Sequence, residues 1–92
     1  MAAHGARRLG QMVANLNVIL GVEAMCAGQG VEFRAPLTTS KPLQAVMSRL
    51  RQDVATMGDD RYLAPDLAAA ANLIATGALT AATGLLLPDL LL

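Results

Sequence analysis

One short stretch of the sequence has the densest group of side chains that could do acid–base chemistry. It spans residues 59–71 and reads DDRYLAPDLAAAA; its first polar members are Asp59, Asp60, Arg61 and the single tyrosine, Tyr62. Catalysis would also require a nucleophile or base held in a pocket, and the sequence offers no such partner. The stretch follows one predicted helix and leads into Pro65 and Asp66, residue types that favour a first helical turn. We therefore interpret it as helix capping and interhelical hydrogen bonding.

Three further residues have a simple structural interpretation. His4 is alone, without companions at metal-ligand spacing, so we expect a surface histidine. Cys26 lies on the apolar side of the first helical segment, where a small buried hydrophobe is expected rather than a nucleophile. Glu23 lies among apolar residues, and we expect either an interchain salt bridge or simple exposure. With no phosphate loop, zinc pattern or nucleophile elbow, the sequence predicts no catalytic, cofactor-binding or metal-binding residue.

Composition places the chain among small helical proteins. It has 92 residues, of which 54% are hydrophobic and only 2% aromatic, and its eighteen alanines and sixteen leucines favour helix. The net charge is zero, which gives no electrostatic attraction for nucleic acid. A single cysteine cannot form an internal disulfide, so we expect a reducing, cytoplasmic location. The predicted fold class is all-α, in one domain spanning residues 1–92.

Hydrophobic periodicity predicts one long helix, two or three shorter helices and a tail. We expect helices at about residues 2–29, 41–57, 65–76 and 78–83, with the tail at 84–92. Gly28 and Gly30 suit the end of the first helix, and Gly58 can close the second. Thr38, Thr39 and Ser40 suit an N-cap for the second helix. The second helix is clearly amphipathic. Its solvent-exposed face is expected to hold Arg49, Arg51, Gln52 and Asp53.

The first helix is apolar on too many sides for its own three neighbours to cover. One stripe includes Leu9, Met12 and Leu16, while Val18 and Ile19 belong to a second, rotated stripe. Such a helix is typical of a position surrounded by protein, which predicts a helical bundle larger than this chain. Asn15, Asn17 and Glu23 argue against a membrane span. If Ile19 or Leu20 is buried, its truncation to alanine should cost about 2–5 kcal/mol.

The order VEAMCAGQGVEFRAPLTTSKPLQAV, then LRQDV, then DDRYLAPDLAAAANLIATGAL resembles the C-terminal end of histidine ammonia-lyases. This similarity covers about residues 1–79. The resemblance implies an enzyme family that converts L-histidine to trans-urocanate and ammonia in histidine degradation. It also implies a methylidene-imidazolone electrophile made from an internal Ala-Ser-Gly triplet, and homotetramers with long helices bundled at the centre.

The chain departs from this family pattern in its chemistry. It contains no Ala-Ser-Gly triplet, and the family's catalytic tyrosines, substrate-binding arginine and Gln-Glu-Asp-His stretch lie upstream of the matching region. Tyr62 matches the C-terminal Asp-Arg-Tyr/Phe run, so no catalytic role is carried to it. The resemblance implies an inactive structural and oligomerisation part whose partners are the rest of the lyase and other subunits, without nucleic acid or membrane. The alternative is a stand-alone helical protein-interaction module.

Overall fold

A computed structural model describes residues 1–88 as four helices and their connections. The helices are α1 (Ala2–Glu32), α2 (Lys41–Asp53), α3 (Ala64–Ala75) and α4 (Ala78–Ala82). No residue of this described part lies in a strand, so the predicted all-α class, with one long helix and several shorter ones, is confirmed. The Leu-rich tail falls partly outside the described residues, because they end at residue 88.

The first two helices end at different places from those predicted. α1 continues past Gly28 and Gly30 to Glu32. Gly28 is buried, and a Cβ there would lie 3.0 Å from Leu50 Cδ2, so this glycine permits close packing instead of ending the helix. α2 ends at Asp53, before the expected residue 57, because Val54 becomes extended and turns into the core. Gly58 therefore lies in the following loop.

The start of α2 is where the sequence placed it, with a different capping contact. Ser40 occupies the N-cap position but makes no side-chain capping hydrogen bond. Instead, the Gln44 side-chain amide donates a hydrogen bond of 2.6 Å to the Thr39 carbonyl oxygen. Pro42 lies in the first turn, where its missing N–H leaves no helical hydrogen bond unmade. The position of the N-cap was thus predicted correctly, but the expected capping hydrogen bond from a Ser or Thr side chain is absent.

The core is small and lies where α2, α3 and α4 meet the C-terminal half of α1. Four apolar side chains in the described part are buried: Leu50, Val54, Ala70 and Leu73. Around them pack the partly buried Met25, Ala69, Ala78 and Leu79. α1 crosses α3 at Gly21, where an added Cβ would lie 2.8 Å from the Ala71 backbone nitrogen. The two helices therefore pack backbone against backbone at this point.

Most of α1 has no cover from its own chain. Every residue from 1 to 16 is exposed, and the buried residues of the helix are Gly21 and Gly28. Met12 remains 62% exposed and Ile19 54% exposed, although both are large apolar side chains. The prediction that the three neighbouring helices cannot enclose α1 is confirmed. Ile19 and Leu20 accordingly do not have, within this chain, the burial on which the predicted truncation cost depended.

α1 also has the length and apolar composition of a helix that could cross a membrane, and it alone among the helices of residues 1–88 does so. A central helix in a water-soluble bundle and an N-terminal signal sequence have the same length and composition. Asn15 and Glu23 interrupt the apolar run, and each would be costly in hydrocarbon. These polar residues favour a protein environment for α1.

Candidate functional site

The main polar assembly of the structure joins the end of α1 to α2 and the loop that follows it. We call it the Arg51 cluster; it consists of Gln29, Glu32, Arg51, Thr56 and Met57. Arg51 Nε donates a hydrogen bond of 2.6 Å to Glu32 Oε1, and Arg51 Nη1 donates to the Val54 carbonyl oxygen at 3.1 Å. Thr56 Oγ1 donates to Glu32 Oε2 at 3.0 Å. Both oxygens of one carboxylate are thereby held by two different segments.

The electrostatics of this ion pair follow from its partial burial. The Arg51 side chain is 19% exposed and that of Glu32 is 29% exposed, so water screens the pair less than an open surface pair. The hydrogen bond from Arg51 lowers the pKa of Glu32, and the hydrogen bond from Thr56 acts in the same direction. Desolvation opposes both effects without overcoming them. Glu32 therefore remains an anion that fixes the position of Arg51.

Gln29 makes the second set of hydrogen bonds in the cluster. Its Nε2 donates to the Met57 carbonyl oxygen at 3.1 Å, and its Oε1 accepts from the Met57 backbone nitrogen at 3.1 Å. The amide thus satisfies both backbone groups of a loop residue that has no helical or strand partner. Since Gln29 lies three residues before Glu32 on α1, the two side chains form hydrogen bonds with neighbouring residues of the same loop. Together they fix the loop against α1.

The charged stretch that opened the sequence analysis forms a separate set of contacts. Arg61 Nε lies 3.0 Å from Asp66 Oδ2 in an ion pair with the first turn of α3. Its terminal nitrogens donate to the carbonyl oxygens of Thr56 and Ala55, at 3.1 and 2.8 Å. Tyr62 is 82% exposed. The hydrogen bonds of Arg61 therefore link the loop after α2 to the first turn of α3. The expected capping is not observed, because Leu63 occupies the N-cap position of α3 and makes no side-chain capping hydrogen bond.

A shallow cavity of about 240 Å³ lies between α1, the loop after α2 and the start of α3. Its walls are mainly apolar, from residues such as Val22, Met25 and Leu67, with Arg51 and Arg61 among its polar residues. Arg51 Nη2 is buried and makes no hydrogen bond within the described chain. The Cys26 thiol also lines the cavity, yet no base is positioned to activate it. The arrangement can hold helices together; it does not present a nucleophile paired with a base.

The other residues singled out in the sequence all lie on α1: His4, Glu23 and Cys26. Cys26 is an exposed free thiol, so the expectation of a buried residue is wrong within this chain, because its side chain borders the open cavity between α1 and the start of α3. Glu23 and His4 are exposed. Among residues 1–88, no group of three His, Cys, Asp or Glu side chains could hold a metal ion.

Sequence reasoning missed the Arg51 cluster. The sequence pattern predicted Arg51 on the solvent-exposed face of α2, whereas the side chain is largely buried at the edge of the apolar stripe. A usable signal was its position four residues after Met47, on an adjoining part of the helix surface. Glu32 was placed in a connector and Gln29 at a helix end, so their shared face on an extended α1 was not evident.

Comparisons with known proteins agree with the resemblance seen in the sequence. Residues 1–52 match the family model described as aromatic amino acid lyase. A histidine ammonia-lyase from Roseobacter denitrificans is 62% identical over 85 residues, which cover 92% of this chain. The chain spans 17% of the length of that relative. No solved structure matches the chain.

Proposed function

Because the chain belongs to the aromatic amino acid lyase family, we propose that it forms the C-terminal helical part of a histidine ammonia-lyase and supplies packing and subunit contacts. The parent reaction would be the conversion of L-histidine to trans-urocanate and ammonia in histidine degradation. The observation that carries this proposal is the long apolar face of α1, which its own chain leaves open. An exposed apolar surface of this extent marks a contact site.

The rest of the fold supports this role by fixing the direction of α1. The Arg51 cluster and the close approach at Gly21 hold the C-terminal half of the helix against α2 and α3. The N-terminal half then projects from the core as a helix with its apolar side chains exposed. Its partners in this proposal are the rest of the lyase chain and other subunits of a homo-oligomer. Zero net charge and the polar residues within α1 argue against nucleic acid and membrane partners, and we place the protein in the cytoplasm.

The proposal separates this structural role from catalysis. The 92 residues contain no Ala-Ser-Gly triplet from which a methylidene-imidazolone could form. The described residues also offer no nucleophile paired with a base. We therefore propose that the chain alone is inactive and makes no cofactor. Purified chain incubated with L-histidine should give no rise in urocanate absorbance; steady turnover would contradict this part of the proposal.

A complementation experiment tests the structural role. The Roseobacter denitrificans relative, shortened by the region that matches this chain, is co-expressed with the 92-residue chain. We expect the two to purify together and urocanate production to exceed that of the shortened enzyme alone. Met12→Asp in α1 should abolish the association, because it puts a charge into the apolar face. Gln52→Asp is the matched control, since Gln52 is exposed on α2. Failure of the unmodified chain to associate would contradict the proposed role.

The second candidate function is a stand-alone helical interaction module. One observation favours it: α2, α3 and α4 close a small core against α1 without another chain. The two functions predict different coding sequences upstream of this chain. A contiguous upstream reading frame encoding Ala-Ser-Gly and Gln-Glu-Asp-His would exclude the module, whereas a start codon with no such frame upstream would support it.

A further inference from the structure

Another cavity, of about 180 Å³, lies between α1, α2 and α4, and we call it the α1–α2 groove. α1 contributes small residues to its lining, namely Ala24, Ala27 and Gly28, whereas α2 contributes larger apolar side chains such as Val46. The contribution of α4 is Leu79. Since a cavity of about 150 Å³ can bind a benzene ring, the groove has room for at least one leucine side chain.

The segment that follows α4 has the composition to fill an apolar groove. Residues 85–92 read LLLPDLLL, so six of these eight residues are leucine. Leu86 is fully exposed, and Leu85 and Leu87 are 58% and 48% exposed, so the four helices give these side chains little cover. Gly84 has a positive φ of 68°, a conformation that ends α4 and turns the chain. A leucine-rich segment therefore leaves the fold directly after the helix that lines the groove.

We propose that residues 89–92 of the same chain lie in the α1–α2 groove and place leucine side chains against its apolar lining. The groove is within their reach. Leu79 lines the groove and precedes Gly84 by five residues, which is about 8 Å in helical geometry. The six residue steps from Gly84 to Leu90 can span up to about 20 Å. The part of α2 that lines the groove, between Leu43 and Leu50, extends over only about 10 Å.

Other occupants and other positions fit less well. A short tether gives the tail an effective concentration in the millimolar range at the groove, which exceeds that of a second copy in dilute solution. The cavity beside Arg51 has no described residue of α4 in its lining, whereas the groove has one. Asp89, the single charged side chain of residues 85–92, precedes the last three leucines, so its carboxylate can stay in water while they are buried. This contact lies within one chain and does not depend on the proposed lyase assembly.

The test is nuclear Overhauser spectroscopy of the full 92-residue chain with isotope-labelled leucine and valine methyl groups. We expect contacts between the leucine methyl groups of residues 90–92 and those of Leu79. Val46→Glu puts a charge into the groove and should abolish these contacts. Val13→Glu is the matched control; Val13 is exposed on α1 and does not line the groove, so the contacts should remain. Circular dichroism checks that the helices are retained, and Leu43→Glu, at an exposed position of the groove, replaces Val46→Glu if that variant loses helix.

Each alternative occupant of the groove gives a different result. If the contacts arise only between copies in a mixture of labelled and unlabelled chain, the tail of a second copy fills the groove and the proposal is wrong. If they are absent, and the methyl resonances of Leu43 and Val46 shift when the shortened lyase is added, the lyase covers the groove; the proposal is wrong while the proposed function stands. If neither signal is seen, the groove is open to water and the proposal is also wrong. Contacts that persist in Val46→Glu would place the tail elsewhere and contradict the proposal.

Discussion

Replacing Gly21 with alanine should force α1 and α3 apart. The new Cβ would lie 2.8 Å from the Ala71 backbone nitrogen, 3.0 Å from the Ala70 carbonyl carbon and 3.2 Å from the Ala71 Cα. These are backbone atoms of a helix, so they cannot rotate away as the end of a flexible side chain could. The helices must separate, and the packing of Ala70 and Leu73 in the core is loosened.

Two opposing effects set the size of the change. Overpacking of this kind costs about 1–3 kcal/mol. Alanine in a helix interior is favoured over glycine by about 1 kcal/mol, which offsets part of that cost. We therefore expect Gly21→Ala to lower the free energy of unfolding by about 1 kcal/mol. The matched control is Gly10→Ala on the same helix, where nothing lies within 4 Å of the added Cβ. It should raise the free energy of unfolding by about 0.5–1 kcal/mol.

Urea denaturation followed by far-ultraviolet circular dichroism measures both variants. All samples must have the same protein concentration, because association would shift the apparent stability. The expected separation between the two alanine variants is about 1.5–2 kcal/mol. If Gly21→Ala were as stabilising as Gly10→Ala, the close approach of α1 and α3 would not exist in solution, and the packing argument would be wrong.

Four further substitutions test other parts of the structure. Because hydrogen bonding lowers the pKa of Glu32 below 4.5, its ionised form stabilises the fold above that pH. The stabilisation is lost as the pH falls through the lowered pKa, so Glu32→Gln should flatten the pH dependence of urea midpoints in that acid range; an unchanged curve would contradict the role of Glu32. Gln29→Leu removes two hydrogen bonds and should cost about 1–3 kcal/mol, with faster hydrogen exchange at the Met57 amide; unchanged exchange there would count against the contact. Leu73→Ala should cost about 2–5 kcal/mol at any protein concentration. Ile19→Ala should cost under about 0.5 kcal/mol in dilute, dissociated chain and more where the chain associates; a large cost in the dissociated chain would show that α1 is covered intramolecularly.

Sequence periodicity predicted the elements of the fold well because the signals were local. The apolar spacing of α2, Pro65 at the start of α3 and Gly77 after it all act within one or two helical turns. The excess of apolar surface on α1 could also be predicted, since apolar residues occur on more than one side of this single helix. These features require no knowledge of which segments meet in space.

The errors arose where distant segments determine the local structure. Gly28 resembled a helix end, yet it is a packing residue because Leu50 lies against it. α2 stopped early because Val54 enters a core that it shares with Ala70 and Leu73 of α3, and Arg51 is partly buried because Glu32 comes from α1. Each of these contacts joins positions far apart in the sequence. Helical periodicity carries no information about such pairs, and this is why the Arg51 cluster was missed.

The position of the Arg51 cluster explains how a small core can support a long, mostly uncovered helix. An isolated helical segment of about 16 residues is marginal in water, because its early turns gain little from packing. Here the C-terminal half of α1 is fixed by Gln29, Glu32 and the Gly21 crossing, so helix growth toward the N-terminus starts from a formed nucleus. Burial of the exposed apolar side chains of α1 against a partner then stabilises turns that the chain itself leaves exposed. Folding of the N-terminal half of α1 and formation of the subunit contact are therefore expected to be coupled, with the Arg51 cluster setting the direction in which the helix meets its partner.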